Sequence, residues 1–433
     1  MRVCFWEDET ADQFTPLTLA RPVFELICGR YSLRERILRA WDIDRWGVLI
    51  RSHLTAVYRE EHPEARLNDA EWLSEGQILL INGRWLPAIL PALPCEPTEV
   101  ARCRGEIVAI WLSPDEWGQY ADLSFPETLQ RLAASRRTVD ASGELLERPW
   151  DLVQQNSRQL IADFALGTLH APRFGRRNVE ILGPETNLSI SPLATLEPFV
   201  VIDARSGPVT IDERAQVKAF TRVEGPCHIG RETQVFRGQI SSGTTIGPVC
   251  RIGGEVENSI LHGYANKYHD GFLGHSYVCP WVNIGAQSGT SDLKFDYSSV
   301  RVPLAGDLVE TGQKKVGSFI GDHTKTAVNS LFDTGSSIGV MAMVLPDGDL
   351  IPRHVPSYSR YWRGRIVEGW RIEKLFDIAR TAMSRREMEF TPAQEMLFRL
   401  LYDKTEAERR KAFARYETPK LQSFGSDGLA DAA

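Results

Sequence analysis

Six Ile-Gly dipeptides occur in this chain, all between Ile229 and Gly339. The aliphatic residues around them keep an unusual period. Ile211, Val217, Val223, Ile229 and Val235 recur every six positions, and after a one-residue slip Ile240, Ile246 and Ile252 resume the count. Such a repeat places one inward aliphatic residue on each side of a triangular coil, and no coil buries its apolar side without neighbours. The pattern therefore predicts a left-handed parallel β-helix. A small residue after each isoleucine permits a tight corner. Short corners replace crossover helices, so the usual handedness rule for parallel strands does not constrain the coil. Ile284, Ile320 and Ile338 are expected to stack in one column, with Thr290 to Thr311 looped out. A conventional sandwich of short strands is rejected on the period.

The hexads occupy only the middle of the chain. Residues 1–165 read as a separate α/β domain, with short apolar runs such as Gln77–Ile81 and Ile107–Leu112 between helical stretches. Pro149 to Phe164 reads as a linker helix carrying an incomplete stripe of Trp150, Val153, Leu160, Ile161 and Phe164. The coil is expected over 170–346, beginning after His170-Ala-Pro. A helical appendage of about three helices follows over 357–422. Its first helix would bury Ile372, Leu375, Phe376, Ala379 and Met383. Thr391-Pro392-Ala393-Gln394 has the residues of a capping box with proline at the first helical position, and Thr405 with Glu408 repeats the spacing. Residues 423–433, rich in Gly, Ala and Asp, read as a disordered tail.

A chain of 433 residues has room for this arrangement and for a sizeable core. Its net charge of −7 argues against nucleic acid or an anionic membrane as partner, because both require clustered cations. No run of about 18 uncharged apolar residues is present to span a bilayer, and Glu7, Asp8 and Glu9 stand where a signal peptide is apolar. The expectation is a cytoplasmic protein. Seven cysteines, an odd number without a C-x-x-C pair, speak against a disulfide framework and against zinc.

Chemistry concentrates where the hexad rhythm is lost. Between Ser259 and Ser276 the chain carries His262, His269 and His275 together with Asn266, Lys267 and Asp270. A polar insertion beside a rigid wall is a usual placing for catalytic groups. Acetyl transfer from a thioester to an amine needs a base for the amine proton, and histidine titrates in the right range. A solvated loop and a three-histidine metal site remain open at this stage. Lys314, Lys315 and Lys325 lie late in the coil, where cations would meet the phosphates of coenzyme A or form a solvated face.

The run Asn266-Lys-Tyr-His-Asp-Gly-Phe-Leu-Gly274, followed by Val282-Asn-Ile-Gly-Ala286, resembles the acetyltransferase half of the bifunctional glucosamine-1-phosphate acetyltransferase/N-acetylglucosamine-1-phosphate uridylyltransferase family. The resemblance implies His269 as catalytic base, Asn283 as substrate contact and Ala286 as the small residue beside acetyl-CoA. It also implies Arg237 as a phosphate contact, while Asn266 and Lys267 of the polar run are the further substrate-binding candidates and Lys325, of the late cations, is the cofactor-binding candidate. Phe272 replaces a family tyrosine, and Glu255-Val-Glu-Asn258 replaces Glu-Val-Lys-Lys. A divergent sugar nucleotidyltransferase subgroup is similar over most of the chain. Its landmarks are Thr15–Pro22, Ile81–Arg84, Pro149–Leu152, Gly253–Val256, Asn266–Leu273, Ser291–Lys294 and Gly321–Lys325. Such kinship implies small-molecule partners, a sugar phosphate and a nucleotide, with Mg²⁺ for nucleotidyl transfer and a homotrimer holding acetyl-CoA between neighbouring prisms.

The N-terminal half departs from that pattern. A nucleotidyltransferase opens with a strand and a glycine-rich loop whose N–H groups cradle phosphates. Here strand Arg2–Trp6 runs into Glu-Asp-Glu-Thr-Ala-Asp, which has no glycine, and Asn82 stands where a metal-binding Asp is usual. Arg21, Arg30 and Arg84 have the fork that pairs with phosphate, or equally with a structural carboxylate. Arg21 and Arg84 are the nucleotide-binding candidates. Two rivals stand beside the bifunctional reading: a nucleotidyltransferase for another sugar, such as glucose 1-phosphate, with a purely structural coil, and a non-catalytic sugar-nucleotide-binding scaffold.

Overall fold

The computed structural model describes residues 1–88, 93–120, 122–167 and 178–417. The expected start of the coil after His170, the end of the helical appendage beyond 417 and the tail at 423–433 lie outside the described residues. The contacts divide the chain into two compact units. One comprises Met1–Phe14, Ala20–Ile27 and Tyr31–Arg148; the other takes Thr15–Leu19, Cys28–Arg30 and everything from Pro149.

The first unit is built on a seven-stranded mixed sheet. Strand Arg2–Trp6 lies between the parallel strands Arg45–Leu49 and Ile78–Asn82. Glu106–Leu112 then joins antiparallel beside Ile78–Asn82. All five residues of Arg2–Trp6 and of Ile78–Asn82 are buried, which is what a strand covered on both faces requires. The chain leaves Arg2–Trp6 toward one side for its first parallel neighbour and toward the other for the second. A crevice opens outside the carboxyl ends of strands at such a switch of direction.

In the second unit, parallel strands are dealt in rotation to three ladders that share one core. The second ladder runs Ile190, Ile211, Ile229, Ile246, Leu261, Val278, Ile320, Ile338 and Val355. The predicted hexads map directly onto this rotation. Ile211, Ile229 and Ile246 belong to the second ladder, Val217, Val235 and Ile252 to the third, Val223 and Ile240 to the first. The slip after Val235 is a bulge between Phe236 and Gly238. At the same corner of the next coil, a Cβ on Gly253 would sit 2.0 Å from the Tyr268 carbonyl oxygen, so only glycine fits.

Several expectations need correction. Ser259 to Ser276 is not an insertion: Ile260–Leu261, Asn266–Lys267 and Phe272–Gly274 each pair in a ladder. The true excursion follows Asp292 and carries the antiparallel hairpin of Arg301–Leu304 with Asp307–Glu310. That excursion breaks the count, so Ile320 and Ile338 pair as expected but Ile284 falls in the third ladder beside Lys267 and Thr326. Parallel pairing also continues past 346, through His354–Val355 and Ser359–Trp362, before Arg365–Glu368 reverses direction.

Nor is Pro149–Leu166 a mere linker. It packs on the coil through Asn156, whose Oδ1 accepts from the Gly29 N–H at 2.6 Å and from Thr245 Oγ1 at 3.1 Å while its Nδ2 donates to the Gly243 carbonyl at 2.7 Å. Trp150, Val153 and Leu160 are buried as expected; Ile161 is not.

Helices Ile372–Ser384, Pro392–Lys404 and Glu406–Glu417 follow the last strand. The first buries Leu375, Phe376, Ala379 and Met383. Thr391 and Gln394 make the predicted capping box. Thr405 instead donates back to the Leu401 carbonyl at 2.8 Å, and Glu408 pairs with His354 at 3.0 Å. The helices dock on one corner of the coil. Arg214 and Glu232 occupy that corner in early coils; Tyr264, Trp281, His323, Met341 and Tyr358 occupy it later, every one with positive φ. Tyr264 stacks on Trp281 at 4.4 Å, His323 meets Phe398 edge-on at 5.2 Å, and Tyr358 Oη donates to the Phe398 carbonyl at 2.6 Å.

Candidate functional site

Six of the sequence candidates in the coil occupy two adjoining rows. Asn266, Asn283 and Lys325 are consecutive bridge partners on the outer side of the third ladder. Asn266 Nδ2 donates to Asn283 Oδ1 at 2.6 Å, which leaves the buried Asn266 Oδ1 without a hydrogen-bond partner. Lys325 is half-buried, and its Nζ donates to the Trp281 carbonyl. Burial pushes this amine down to about 8. Arg237, His269 and Ala286 lie on the corner that follows the same ladder, in successive or near-successive coils. Arg237 and His269 are exposed, and His269 meets Tyr268 edge-on at 4.8 Å.

Lys267 is the exception. Its position pairs with Ile252, inside the column of the third ladder, and the residue is only 3% exposed. Nζ donates to the carbonyls of Gly253 at 2.8 Å and His269 at 2.7 Å. Burial holds the amine at about 8. A side chain so placed fixes the corner that carries His269 and does not itself reach a ligand.

The three histidines of this segment cannot share a metal. Each follows a different ladder strand: His262 the second, His269 the third, His275 the first. One coil thus deals them to three corners. Among the described residues no group of three or more His, Cys, Asp or Glu side chains is arranged to hold a metal ion. His275 instead places Nδ1 2.7 Å from Asp292 Oδ2, an ion-pair geometry that ties down the start of the excursion.

A groove of about 840 Å³ lies between the outer side of the third ladder and helix Ile372–Ser384. Asn266, Asn283 and Lys325 form its floor; His269 does not line it. The helix and its C-terminal turn contribute Lys374, Arg385 and Arg386, and the stacked Tyr264–Trp281 pair closes one end. Sequence reasoning missed this wall. The available signal was that Tyr264 and Trp281 stand one coil apart, so their rings must stack.

In the first unit, a cavity of about 710 Å³ opens at the carboxyl ends of Arg2–Trp6 and Ile78–Asn82. The residues after the first strand form a 3₁₀ turn, Glu9–Phe14, in place of a glycine loop. Arg84 lines the cavity but is not available to phosphate. Nε and Nη2 engage Asp8 at 2.8 and 2.6 Å, Nη1 donates to the Leu146 carbonyl at 2.6 Å, and the residue is 3% exposed. Asn82 also donates to Asp8, at 2.9 Å. Likewise Glu7 holds Arg51 at 3.0 Å, and Arg51 donates to the Arg21 carbonyl. Arg21 is half-buried and does not line the cavity. Arg30 pairs with Asp212 at 2.8 Å. The acidic turn therefore meets the protein's own arginines where a glycine loop would meet phosphate.

A mixed sheet with its cavity at a switch point is common to many nucleotide-binding folds. Residues 3–171 match the sugar nucleotidyl transferase family. A bifunctional sugar-1-phosphate nucleotidylyltransferase/acetyltransferase of Sulfurisphaera tokodaii is 31% identical over 168 residues, covering 36% of this chain and 39% of that protein. An uncharacterized acetyltransferase of Escherichia coli is 27% identical over 171 residues, 39% of this chain and 74% of its own length. The bifunctional protein GlmU of Prochlorococcus marinus is 28% identical over 184 residues, 39% of this chain and 37% of that protein. The alignment thus spans well under half the length of both bifunctional relatives. No helix among the described residues is long and apolar enough to cross a membrane.

Proposed function

We propose that this chain is a transferase of sugar-nucleotide biosynthesis, of the UDP-N-acetylglucosamine type, whose second unit is a closed left-handed β-helix that moves an acetyl group from acetyl-CoA to an amino-sugar phosphate. The observation that carries this reading is the convergence of Asn266, Asn283 and Lys325 in one groove, one corner away from His269. In the reaction the amine nitrogen bonds to the thioester carbonyl carbon, the C–S bond breaks, and the amine proton passes to His269 and on to the departing thiolate. Asn266 and Asn283 supply amide groups to the sugar. Lys325 and Arg237 meet phosphate, and Ala286 leaves room for the acetyl arm. Because His269 stands outside the groove, the acceptor has to bridge the corner or arrive from a second copy, in keeping with a cytoplasmic homotrimer.

For the first unit the reading is nucleotide binding at the switch-point cavity. Among the described residues, Glu9, Glu106 and Glu147 line it without forming a metal cluster, so a Mg²⁺ would come with the substrate phosphates as its main ligands and meet one carboxylate at most. Bound there, the ion would offset repulsion between these groups and a triphosphate. A binding-only domain is favoured by one specific observation, the capture of Arg84 by Asp8 and of Arg51 by Glu7.

Purified protein supplied with acetyl-CoA and glucosamine 1-phosphate should release free thiol, and with UTP or dTTP and the acetylated product should release pyrophosphate. Thiol release without pyrophosphate would confine catalysis to the coil. No thiol release with any amino-sugar phosphate would remove the acetyl-transfer reading, and UDP-sugar binding without turnover would replace it with a scaffold.

A further inference from the structure

Four cations face the groove beneath helix Ile372–Ser384 without an ion-pair partner among the described residues: Lys325, Lys374, Arg385 and Arg386. The two carboxylates nearby are already engaged. Asp377 holds Arg380 at 2.8 Å, and Glu373 lies 3.7 Å from Arg371 and 3.8 Å from Arg399. Concentrated unpaired positive charge is unusual for a chain of net charge −7. Burial, and then the adjacent Arg385, hold the Arg386 guanidinium below its ordinary value. Two further features ask for a ligand. Asn266 Oδ1 is buried, unpartnered and on the groove floor. The Tyr264–Trp281 stack, with ring planes 21° apart, presents aromatic surface at one end.

We infer that this groove binds a nucleoside diphosphate within a single chain. Its base would lie against Tyr264 and Trp281, and its diphosphate would meet Lys374, Arg385, Arg386 and Lys325. Asn266 Oδ1 would accept a ribose hydroxyl or base N–H. The groove volume suits such a molecule. Guanidinium and ammonium groups supply the charge-assisted hydrogen bonds that phosphates take. The helical appendage is thereby a functional wall and not only a cover. The inference deepens the acetyl-transfer reading, since coenzyme A carries such a diphosphate, but a nucleotide sugar carries one too.

Calorimetric titration of the full chain with ADP, coenzyme A, UDP-N-acetylglucosamine and adenosine tests the site and identifies the source. ADP and at least one of the two larger ligands should bind, and adenosine should bind far more weakly. Lys374 and Arg385 are exposed, so Lys374→Ala/Arg385→Ala should fold normally. It should weaken binding by roughly 10- to 100-fold, the range for losing hydrogen bonds between charged groups. Arg363→Ala, on an exposed turn elsewhere, should leave affinity unchanged. Wild-type affinity in the double variant, or equal binding of ADP and adenosine, would overturn the inference. Thiol release assayed on the same preparations separates the two proposals. Normal acetyl transfer together with wild-type ADP affinity in the double variant sinks the groove assignment alone. Charge-dependent ADP binding with no acetyl transfer by wild type sinks the acetyl-transfer reading alone.

Discussion

A lysine inside a stacked apolar column needs partners for its buried N–H groups, and Lys267 satisfies two of its three by holding two carbonyls of adjoining coils. Lys267→Ala should destabilise the chain by about 2–5 kcal/mol through a cavity and two orphaned carbonyls, and Lys267→Met by clearly less, because the column stays filled; urea titration checks the order. The two variants also separate position from packing, since both should slow acetyl transfer if the lysine acts by fixing the His269 corner. The amine has an ordinary value of 10.5 and stands at about 8 when folded. Between those pH values the unfolded chain binds more protons, so wild-type stability should rise with pH across the window relative to Lys267→Met. His228 gives the opposite end of the pH range. Burial, against a smaller pull from Asp212, takes it from 6.5 to about 4. Stability should fall as pH drops from 6.5 through 4, by up to about 3 kcal/mol. His228→Gln should flatten that part of the melting curve. Lys267 also shows how a residue was misread. Lys267 stands six residues from both Leu261 and Leu273, the inward spacing, but its polar side chain drew a ligand-facing role that the period did not support. Arg84 was open to both roles, and only the structure shows Asp8 within reach.

At the scale of elements, the strands of the coil were legible because one aliphatic residue per side leaves a period of six in the sequence. The partners of helices were not legible, since a helical stripe records only that a face is buried. Pro149–Leu166 illustrates this: beside its apolar residues, its docking uses the polar Asn156, which no apolar pattern reports. Asn156→Ala would leave the Gly29 N–H and the Gly243 carbonyl buried without partners. A loss of about 2–4 kcal/mol is expected, with little effect on nucleotide binding by the first unit, and thermal melts of the variant check it. The groove was missed for a related reason. Its floor was named residue by residue from the coil, whereas its wall comes from a helix distant in sequence that only folding brings near.

For the whole molecule, the docking corner makes a sharp prediction. Removing everything after Glu368 would uncover His323 and Tyr358, rings now shielded by Phe390, Phe398 and Tyr402. The truncated chain should lose nucleotide affinity and form soluble aggregates, visible by light scattering, where the intact protein gives the mass of a trimer by sedimentation equilibrium. A monomer with full thiol release would contradict the shared site. The last strand pair has a wider meaning. A stack of parallel coils offers at each end a row of unpaired backbone groups, on which another molecule can continue the same pattern indefinitely. Arg365–Glu368 turns back antiparallel on Ser359–Trp362, and helix Glu406–Glu417 sets Ala412 and Phe413 against the core beside it. A reversed strand cannot template a further coil, so this protein is denied growth into a filament at that end.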